Sequence, residues 1–167
     1  MLKPAVFFDR DGVLNIEKGY VYKISDFEWV EGAKEAIKCL NEEGYLIFVV
    51  TNQSGVGRDF YGEDDVNAIH DFMKNELLQH GAHIDAIRYC PHHIEAKLEK
   101  YKFDCEWRKP KSGMINDLMS SFPIDKSKSL LVGDKKTDIE AAHTVGINAL
   151  LFQSENLDEF LTEAGYF

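Results

Sequence analysis

Five short apolar runs alternate strictly with five amphipathic helical patterns along this chain of 167 residues. The strand-like runs cover residues 5–9, 45–51, 84–90, 129–134 and 147–152, and the helical patterns cover 33–43, 63–80, 113–121, 137–145 and 157–164. Strict alternation of this kind is typical of parallel strands, because each helix returns the chain to the same end of the sheet. The sequence therefore predicts an α/β fold with a parallel five-stranded sheet.

Two glycines mark the ends of predicted helices. The first helical pattern places Ala33, Ile37 and Leu40 on one face and stops at Gly44, and the second pattern stops at Gly81. Glycine readily adopts the left-handed conformation found just past a helix end. We therefore expect a positive φ at both glycines.

The chain length fits one domain that comprises residues 1–167. Two connections, 10–32 and 91–112, are longer than a typical loop, and long loops in a compact domain are usually functional or else disordered. Neither connection is long enough to form a separate cap domain. We expect a three-layer, Rossmann-like domain without a cap.

The net charge of −10 limits the partners that this chain can bind. Nucleic acids and anionic membranes require a basic surface, so we expect neither as a partner. A small anionic substrate is compatible with this charge if positive side chains are concentrated locally. The chain leads directly into a strand without a signal-peptide pattern, and no apolar run approaches the roughly 20 residues of a membrane span. We expect a monomer in the cytoplasm.

The three cysteines, Cys39, Cys90 and Cys105, are too few and too odd in number for a disulfide framework. Reduced thiols or metal ligands are the better interpretations. Cys39 lies on the apolar face of the first helical pattern, so we expect it in the core.

Polar residues follow the first four predicted strands in turn. They are Asp9 and Asp11 after the first strand, Thr51-Asn52-Gln53-Ser54 after the second, Arg108-Lys109 beyond the third, and Gly133-Asp134-Lys135-Lys136-Thr137-Asp138 after the fourth. Each cluster alone is typical of a turn or a helix entry. In a parallel sheet all four clusters lie at the same edge, which is where α/β enzymes place their chemistry.

Carboxylates that meet at one point require a counter-charge. Two carboxylates 4 Å apart repel by roughly 4 kcal/mol at an effective dielectric constant of 20. A divalent cation removes this repulsion, and oxygen ligands shared with substrate phosphate favour Mg²⁺. If Asp9 and Asp134 hold one ion, the first and fourth strands are neighbours, which predicts the strand order 3-2-1-4-5.

Four motifs occur in order across the whole chain: Asp9-x-Asp11, Thr51, Lys109 and Asp134. They are similar, in the same order, to the four motifs of the haloacid dehalogenase superfamily of phosphatases. The chain resembles that superfamily. The resemblance implies that Asp9 is a nucleophile that forms an aspartyl-phosphate, and that Asp11 protonates the leaving oxygen and then activates water. It also implies Mg²⁺ held by the Asp9 side chain, the Asp11 backbone carbonyl and Asp134.

The same resemblance assigns two further roles. Thr51 and Lys109 would bind the phosphoryl oxygens, where charge concentrates in the transition state. Asp138, one helical turn beyond Asp134, would orient the metal ligands.

Four segments resemble, more narrowly, the heptose bisphosphate phosphatases: Glu17-Lys18-Gly19-Tyr20-Val21, Thr51-Asn52-Gln53-Ser54-Gly55, Cys90-Pro91-His92-His93 and Arg108-Lys109-Pro110. The resemblance implies removal of the 7-phosphate from a small phosphorylated sugar, D-glycero-D-manno-heptose 1,7-bisphosphate. The residues expected to contact the sugar or its second phosphate are Glu17, Lys18, Gly19, Tyr20, Asn52, Gln53, Ser54, Arg58, Arg108 and Lys135. The aromatic residues of the first long loop, Tyr20, Phe27 and Trp29, either touch the substrate or pin the loop to the core.

Cys90-x-His92 and Cys105 resemble a zinc-binding loop of the same family, whose pattern ends in Cys-x-Cys. Trp107 occupies the place of the last cysteine, so one ligand of a closed tetrahedral site is missing. The candidates for a fourth ligand are His93, Asp104 and Glu106. Alternatively, packing of Trp107 holds the loop without a metal.

Other functions fit parts of the pattern. Histidinol-phosphate phosphatases are close relatives that lack the Gly-Tyr-Val segment, and polynucleotide 3′-phosphatases share Thr51-Asn52-Gln53, although the net charge of −10 disfavours a nucleic acid. A phospho-accepting receiver module also combines aspartates with Mg²⁺, but its acceptor follows the third strand, which here ends in Tyr89-Cys90. A non-catalytic binding module is disfavoured by the intact set of motifs.

Overall fold

The five strands form one parallel sheet in the order β3-β2-β1-β4-β5, which confirms the predicted order. The computed structural model describes residues 1–167. The strands are β1 Ala5–Phe8, β2 Leu46–Asn52, β3 Ala86–Cys90, β4 Leu130–Gly133 and β5 Asn148–Leu151, and the helices are α1 Ala33–Glu42, α2 Glu63–Gln79, α3 Gly113–Ser121, α4 Lys136–Thr144 and α5 Leu157–Glu163. The predicted alternation of strands and helices is therefore confirmed, with ends that differ by at most two residues.

The central strand β1 contributes to two separate apolar cores, one on each face of the sheet. Val6 and Phe8 pack with residues of α1, α2 and α5 on one face. Ala5 and Phe7 pack with residues of α3 and α4 on the other face. This division follows from the period of two in a strand, which points successive side chains to opposite faces. The burial of both faces places the polar residues after β1 at the edge of the sheet.

Local backbone geometry follows the sequence at several points. Gly44 and Gly81 have φ of 87° and 80°, as expected after α1 and α2. Strand β3 starts later than expected, because the Asp85 side chain accepts a hydrogen bond from the backbone N–H of Ile47 at 2.7 Å. Cys39 is only half-buried, so its expected place in the core is wrong.

The two long connections each include one short 3-10 turn, Ile24–Asp26 in the first and Glu99–Tyr101 in the second. Phe27 anchors the first connection, since its ring packs edge-on against Trp29 and against Phe72 of α2. Phe27 and Trp29 therefore pin this loop to the core. None of the five helices combines the length and the apolar character that crossing a membrane requires.

A buried arginine also ties the first connection to α2. The Arg10 guanidinium donates to the Val21 carbonyl at 2.9 Å and to Asp11 at 3.0 Å, and its Nη1 lies 3.4 Å from Nε2 of His70. Burial and the nearby Arg10 lower the pKa of His70 to about 3. A neutral His70 can accept the hydrogen bond from Arg10, which an imidazolium could not.

The low pKa of His70 predicts a stability that depends on pH. Below the ordinary histidine pKa of about 6.5 the unfolded chain binds a proton that the folded protein does not bind, so stability is present above pH 6.5 and falls as the pH drops towards 3. At pH 5 the expected loss in the free energy of unfolding is roughly 2 kcal/mol relative to pH 7.

Denaturant unfolding at pH 7 and pH 5 checks this prediction. His70→Gln retains a hydrogen-bond acceptor and is expected to lose less stability between the two pH values than the wild type. His143→Gln, at an exposed histidine of α4, is the matched control for loss of an imidazole. Equal pH dependence in wild type and His70→Gln would contradict the assignment.

Candidate active site

A buried lysine joins two carboxylates at the carboxyl edge of the sheet. The Lys109 ammonium donates to Asp9 at 3.0 Å, to Asp138 at 2.6 Å and to the backbone carbonyl of Val50 at 2.8 Å. All three donors of the ammonium are therefore used. The three ionisable residues are almost fully buried, so the energies of their charges depend on one another.

A third carboxylate completes this group. Carboxylate oxygens of Asp9, Asp134 and Asp138 lie within 4.8 Å of one another, and Oδ1 of Asp134 is buried without a hydrogen-bond partner. Gly12, with φ of 88°, packs directly on Asp134, and a Cβ at this position would collide with that carboxylate. The hard oxygen donors and the unsatisfied buried oxygen fit a small divalent cation such as Mg²⁺.

The charge balance at Asp9 supports the same conclusion. Burial raises the pKa of Asp9 to about 8, since the effect of burial and of the neighbouring Asp138 and Asp134 exceeds the opposing effect of Lys109. One ammonium does not balance three carboxylates. A bound divalent cation supplies the missing positive charge and favours an ionised Asp9.

Asp11 takes part in a hydrogen-bond network that does not include Lys109. Its Oδ1 accepts hydrogen bonds from Arg10 and from Asn15, each at 3.0 Å, and its Oδ2 accepts one from Gln53 at 3.0 Å. The amide of Gln53 also donates to Thr51, and the Tyr61 hydroxyl donates to the Gln53 oxygen at 2.7 Å. The two aspartates of the first motif therefore occupy different environments, one beside an ammonium and one among neutral and guanidinium donors.

Asn52 fixes the loop that carries Lys109. Its side-chain amide donates to the Lys109 carbonyl at 3.1 Å, and its side-chain oxygen accepts from the Lys109 N–H at 3.0 Å. This pair of hydrogen bonds joins the end of β2 to the second long connection. The position of the Lys109 ammonium therefore depends on Asn52.

These side chains surround a cleft of about 540 Å³. The predicted site residues that line it are Asp9, Asp11, Glu17, Gly19, Tyr20, Asn52, Gln53, Ser54, Arg108, Lys109 and Lys135. Asp138, predicted to orient the metal ligands, also lines the cleft, and the other lining residues are Val21, Tyr61 and Thr137. Tyr61 was not among the predicted site residues, because it follows the polar cluster after β2 by several positions and carries no recognisable motif.

Apart from the predicted cysteine and histidine ligands, four predicted site residues lie outside the lining of the cleft. Thr51 is buried beneath it and accepts the hydrogen bond from Gln53, and Asp134 lies against Gly12. Lys18 points to the first connection, where it contacts Glu28 and the carbonyl of Asp26, each at 3.2 Å.

The fourth of them, Arg58, forms a cationic pair with Arg108 beside the cleft. Burial lowers the pKa of Arg108; the neighbouring Cys90 opposes this change and the nearby charge of Arg58 adds to it. Nε of Arg58 and Nη1 of Arg108 are buried and have no hydrogen-bond partner. Two mutually repelling guanidinium groups with unsatisfied donors are suited to bind an anion.

The predicted cysteine and histidine ligands also come together. One potential ligand atom each of Cys90, His92 and Cys105 lies within 4.8 Å of the others, and burial raises the pKa of Cys90 to about 12. None of the candidate fourth ligands joins them: Nδ1 of His93 accepts from the backbone of Glu95, and Asp104 and Glu106 pair with Lys111. The donor set therefore fits Zn²⁺ with three protein ligands and no fourth.

Comparison with known proteins places the chain in a family. Residues 106–163 match the HAD-hydrolase-like family model. The chain is 45% identical over 161 residues to D-glycero-beta-D-manno-heptose-1,7-bisphosphate 7-phosphatase of Rhodopseudomonas palustris, covering 96% of this chain and 89% of that protein. It is 43% identical over 151 residues to the corresponding alpha-heptose enzyme of Burkholderia mallei, covering 90% of this chain and 80% of that protein.

Solved structures agree with these relatives. D,D-heptose 1,7-bisphosphate phosphatase from B. bronchiseptica, complexed with magnesium and phosphate, superposes with a TM-score of 0.81 at 32% identity, covering 97% of this chain and 87% of that chain. A HAD-like phosphatase from Mesorhizobium loti superposes with a TM-score of 0.86 at 30% identity, covering 92% and 74%. The chain belongs to the heptose-1,7-bisphosphate 7-phosphatase family of HAD-like phosphatases.

Proposed function

We propose that this protein is a Mg²⁺-dependent phosphatase that removes the 7-phosphate of D-glycero-D-manno-heptose 1,7-bisphosphate through an aspartyl-phosphate intermediate. The observation that carries the proposal is the Asp9–Lys109–Asp138 group at the base of a cleft that Arg108 lines. Relatives 43–45% identical to this chain carry the name of that activity. We further infer that residues 1–167 act as one domain and as a monomer. Because all three cysteines are free, we also infer a reducing compartment such as the cytoplasm.

Asp9 and Asp11 divide the chemistry between them. The Asp9 carboxylate attacks phosphorus, the bond from phosphorus to the sugar oxygen breaks, and the Asp11 carboxyl gives its proton to that oxygen. Asp11 then takes a proton from a water molecule that attacks the aspartyl-phosphate, which releases inorganic phosphate and restores Asp9. The separate environments of the two side chains suit these separate roles.

Lys109 and Thr51 bind the phosphoryl oxygens in this proposal, and Lys109 would do so by exchanging one of its three present hydrogen bonds for one to the phosphoryl group. The buried ammonium already contacts Asp9, so it lies next to the negative charge that accumulates during transfer. The Asp9 and Asp134 side chains and the Asp11 backbone carbonyl would hold Mg²⁺, and Asp138 would orient this set. When bound, the cation neutralises charge on the attacking and phosphoryl oxygens.

The remainder of the cleft would bind the sugar and its second phosphate. Arg108, Arg58 and Lys135 supply the positive charge for the remote phosphate. Glu17, Gly19, Tyr20 and Ser54 line the cleft and would contact the sugar hydroxyls. Lys18 would join them only by leaving Glu28. Two unsatisfied guanidinium groups favour a bisphosphate over histidinol phosphate, which has a single phosphate.

The nucleophile assignment predicts that Asp9→Asn abolishes phosphate release, because an amide neither attacks phosphorus nor balances a cation. Asp11→Asn is expected to slow turnover by about 10²- to 10⁴-fold, the usual contribution of general acid–base catalysis. Phosphate release from the heptose bisphosphate in the presence of Mg²⁺ measures the effects of both substitutions. The same measurement after removal of Mg²⁺ with a chelator tests the dependence on the metal. Asp71→Asn, at an exposed aspartate of α2, is the control. Near wild-type turnover by Asp9→Asn would contradict the mechanism.

The remote-phosphate assignment predicts that Arg108→Ala reduces kcat/KM for the bisphosphate by about 10- to 100-fold, the usual value of a hydrogen bond to a charged group. The loss for a sugar monophosphate should be much smaller. Arg88→Ala is the matched control, since Arg88 pairs with Asp117 outside the cleft. Equal losses on the two substrates would count against the assignment.

We also propose that Cys90, His92 and Cys105 bind Zn²⁺ with three protein ligands. Because burial raises the pKa of Cys90, binding must displace its proton, and the affinity should be lower than for a site with four thiolates. Elemental analysis of untagged protein should find zinc that falls in Cys90→Ser but not in Cys39→Ser, whereas Trp107→Cys should retain zinc more tightly. A zinc-free, fully active protein that takes up no added Zn²⁺ would exclude the site and leave packing of Trp107 as the explanation.

A further inference from the structure

The Gln53 side chain joins two of the residues assigned to the chemistry. Its Nε2 donates to Oδ2 of Asp11 at 3.0 Å and to Oγ1 of Thr51 at 2.9 Å. Gln53 is 2% exposed, and these two hydrogen bonds use both amide protons, so none is left for a substrate. One amide group therefore sets the distance between Asp11 and Thr51.

The Tyr61 hydroxyl fixes the orientation of this amide. It lies 2.7 Å from Oε1 of Gln53, an atom that can only accept a hydrogen bond. Burial raises the pKa of Tyr61 well above its usual value, so the hydroxyl keeps the proton that it donates. If the amide turned over, its oxygen would face the acceptor oxygen of Asp11, and the hydrogen bond to the aspartate would be lost.

The surroundings hold Tyr61 in place. Its ring stacks on Tyr22 of the first long connection, with centroids 5.0 Å apart and an angle of 9° between the rings. The ring also lies close to Gly55, where a Cβ would collide with it. Two separate segments therefore fix the position of one hydroxyl.

We propose that Tyr61 is a positioning residue, which acts through Gln53 to hold Asp11 and Thr51 in the arrangement that proton transfer and phosphoryl binding require. This inference rests on the proposed roles of Asp11 and Thr51 and is independent of which sugar phosphate is the substrate. A tyrosine in the lining of the cleft could instead bind the substrate directly, and the two roles affect different kinetic parameters.

The test compares Tyr61→Phe with Tyr22→Phe, its stacking partner, whose hydroxyl makes no hydrogen bond in the structure. Tyr61→Phe should lower kcat by about 3- to 10-fold, the usual worth of one hydrogen bond, and should leave KM within about twofold. Tyr22→Phe should leave both parameters unchanged. The substrates are the heptose bisphosphate and, separately, p-nitrophenyl phosphate.

A double-mutant cycle shows whether Tyr61 acts through Gln53. Gln53→Leu should reduce kcat more than Tyr61→Phe does, and Tyr61→Phe should have almost no further effect in the Gln53→Leu background. In ¹⁵N-glutamine-labelled protein, the side-chain amide of Gln53 should exchange slowly with solvent in the wild type and faster in Tyr61→Phe. This exchange measurement needs only the wild type and Tyr61→Phe, so it decides the question even if Gln53→Leu fails to fold.

Several results would overturn the inference. A raised KM with unchanged kcat in Tyr61→Phe would show a substrate contact, and independent effects of Tyr61→Phe and Gln53→Leu would show that the two side chains act separately. Equal losses of kcat in Tyr22→Phe and Tyr61→Phe would show that the packing of the two rings, and not the Tyr61 hydrogen bond, causes the effect. If the wild type hydrolyses p-nitrophenyl phosphate but not the heptose bisphosphate, the proposed substrate fails, while the comparison of variants on p-nitrophenyl phosphate still tests Tyr61.

Discussion

The buried ammonium of Lys109 is the interaction on which the rest of the site depends. An isolated charge in a protein interior is costly. This one is stable because Asp9, Asp138 and the Val50 carbonyl accept hydrogen bonds from all three of its N–H groups. Those partners come from the end of β1, the first turn of α4 and the end of β2. Removal of any one of them leaves a buried donor unpaired, so three elements of the fold are fixed relative to one another by a single side chain.

The same group explains how the charges in the cleft are distributed. Three carboxylates meet one ammonium at the base, where the excess negative charge attracts a cation. The N-terminus of α4 offsets part of that excess, since the backbone N–H of Lys135 donates a hydrogen bond to the Asp138 carboxylate. Arg58 and Arg108 contribute positive charge at the other side of the site. A substrate with two phosphates can therefore place one phosphate at each region, which is a physical basis for preferring a bisphosphate to a monophosphate.

The sequence predicted those parts of the site that depend on the ends of strands. Asp9, Asp11 and Asp134 follow β1 and β4, and a shared ion required those strands to be neighbours, as they are. Tyr61 could not be predicted, because its contact with Gln53 depends on the fold of the turn after β2. That turn brings the Tyr61 ring against Gly55, where a side chain would leave no room for it. The contact of Lys18 with Glu28 was also beyond prediction, since the conformation of the first long connection decides it. Side chains on strands follow the topology, whereas side chains on loops depend on three-dimensional packing that has no sequence period.

The second long connection therefore contributes to chemistry through its shape. It carries His92 and Cys105, which cluster with Cys90 at the end of β3, and it leads through Trp107 to Arg108 and Lys109. The two hydrogen bonds between Asn52 and the Lys109 backbone fix the end of this loop, and the Trp107 N–H donates to the Cys105 sulfur at 3.4 Å just before it. Arg108 lies only three residues after Cys105, so a shift of the cluster would also move Arg108. The two hydrogen bonds from Asn52 would keep the Lys109 backbone in place. In the proposed function, the loop thus separates two requirements: adjustment of the remote-phosphate site at Arg108, and a fixed position for the Lys109 ammonium.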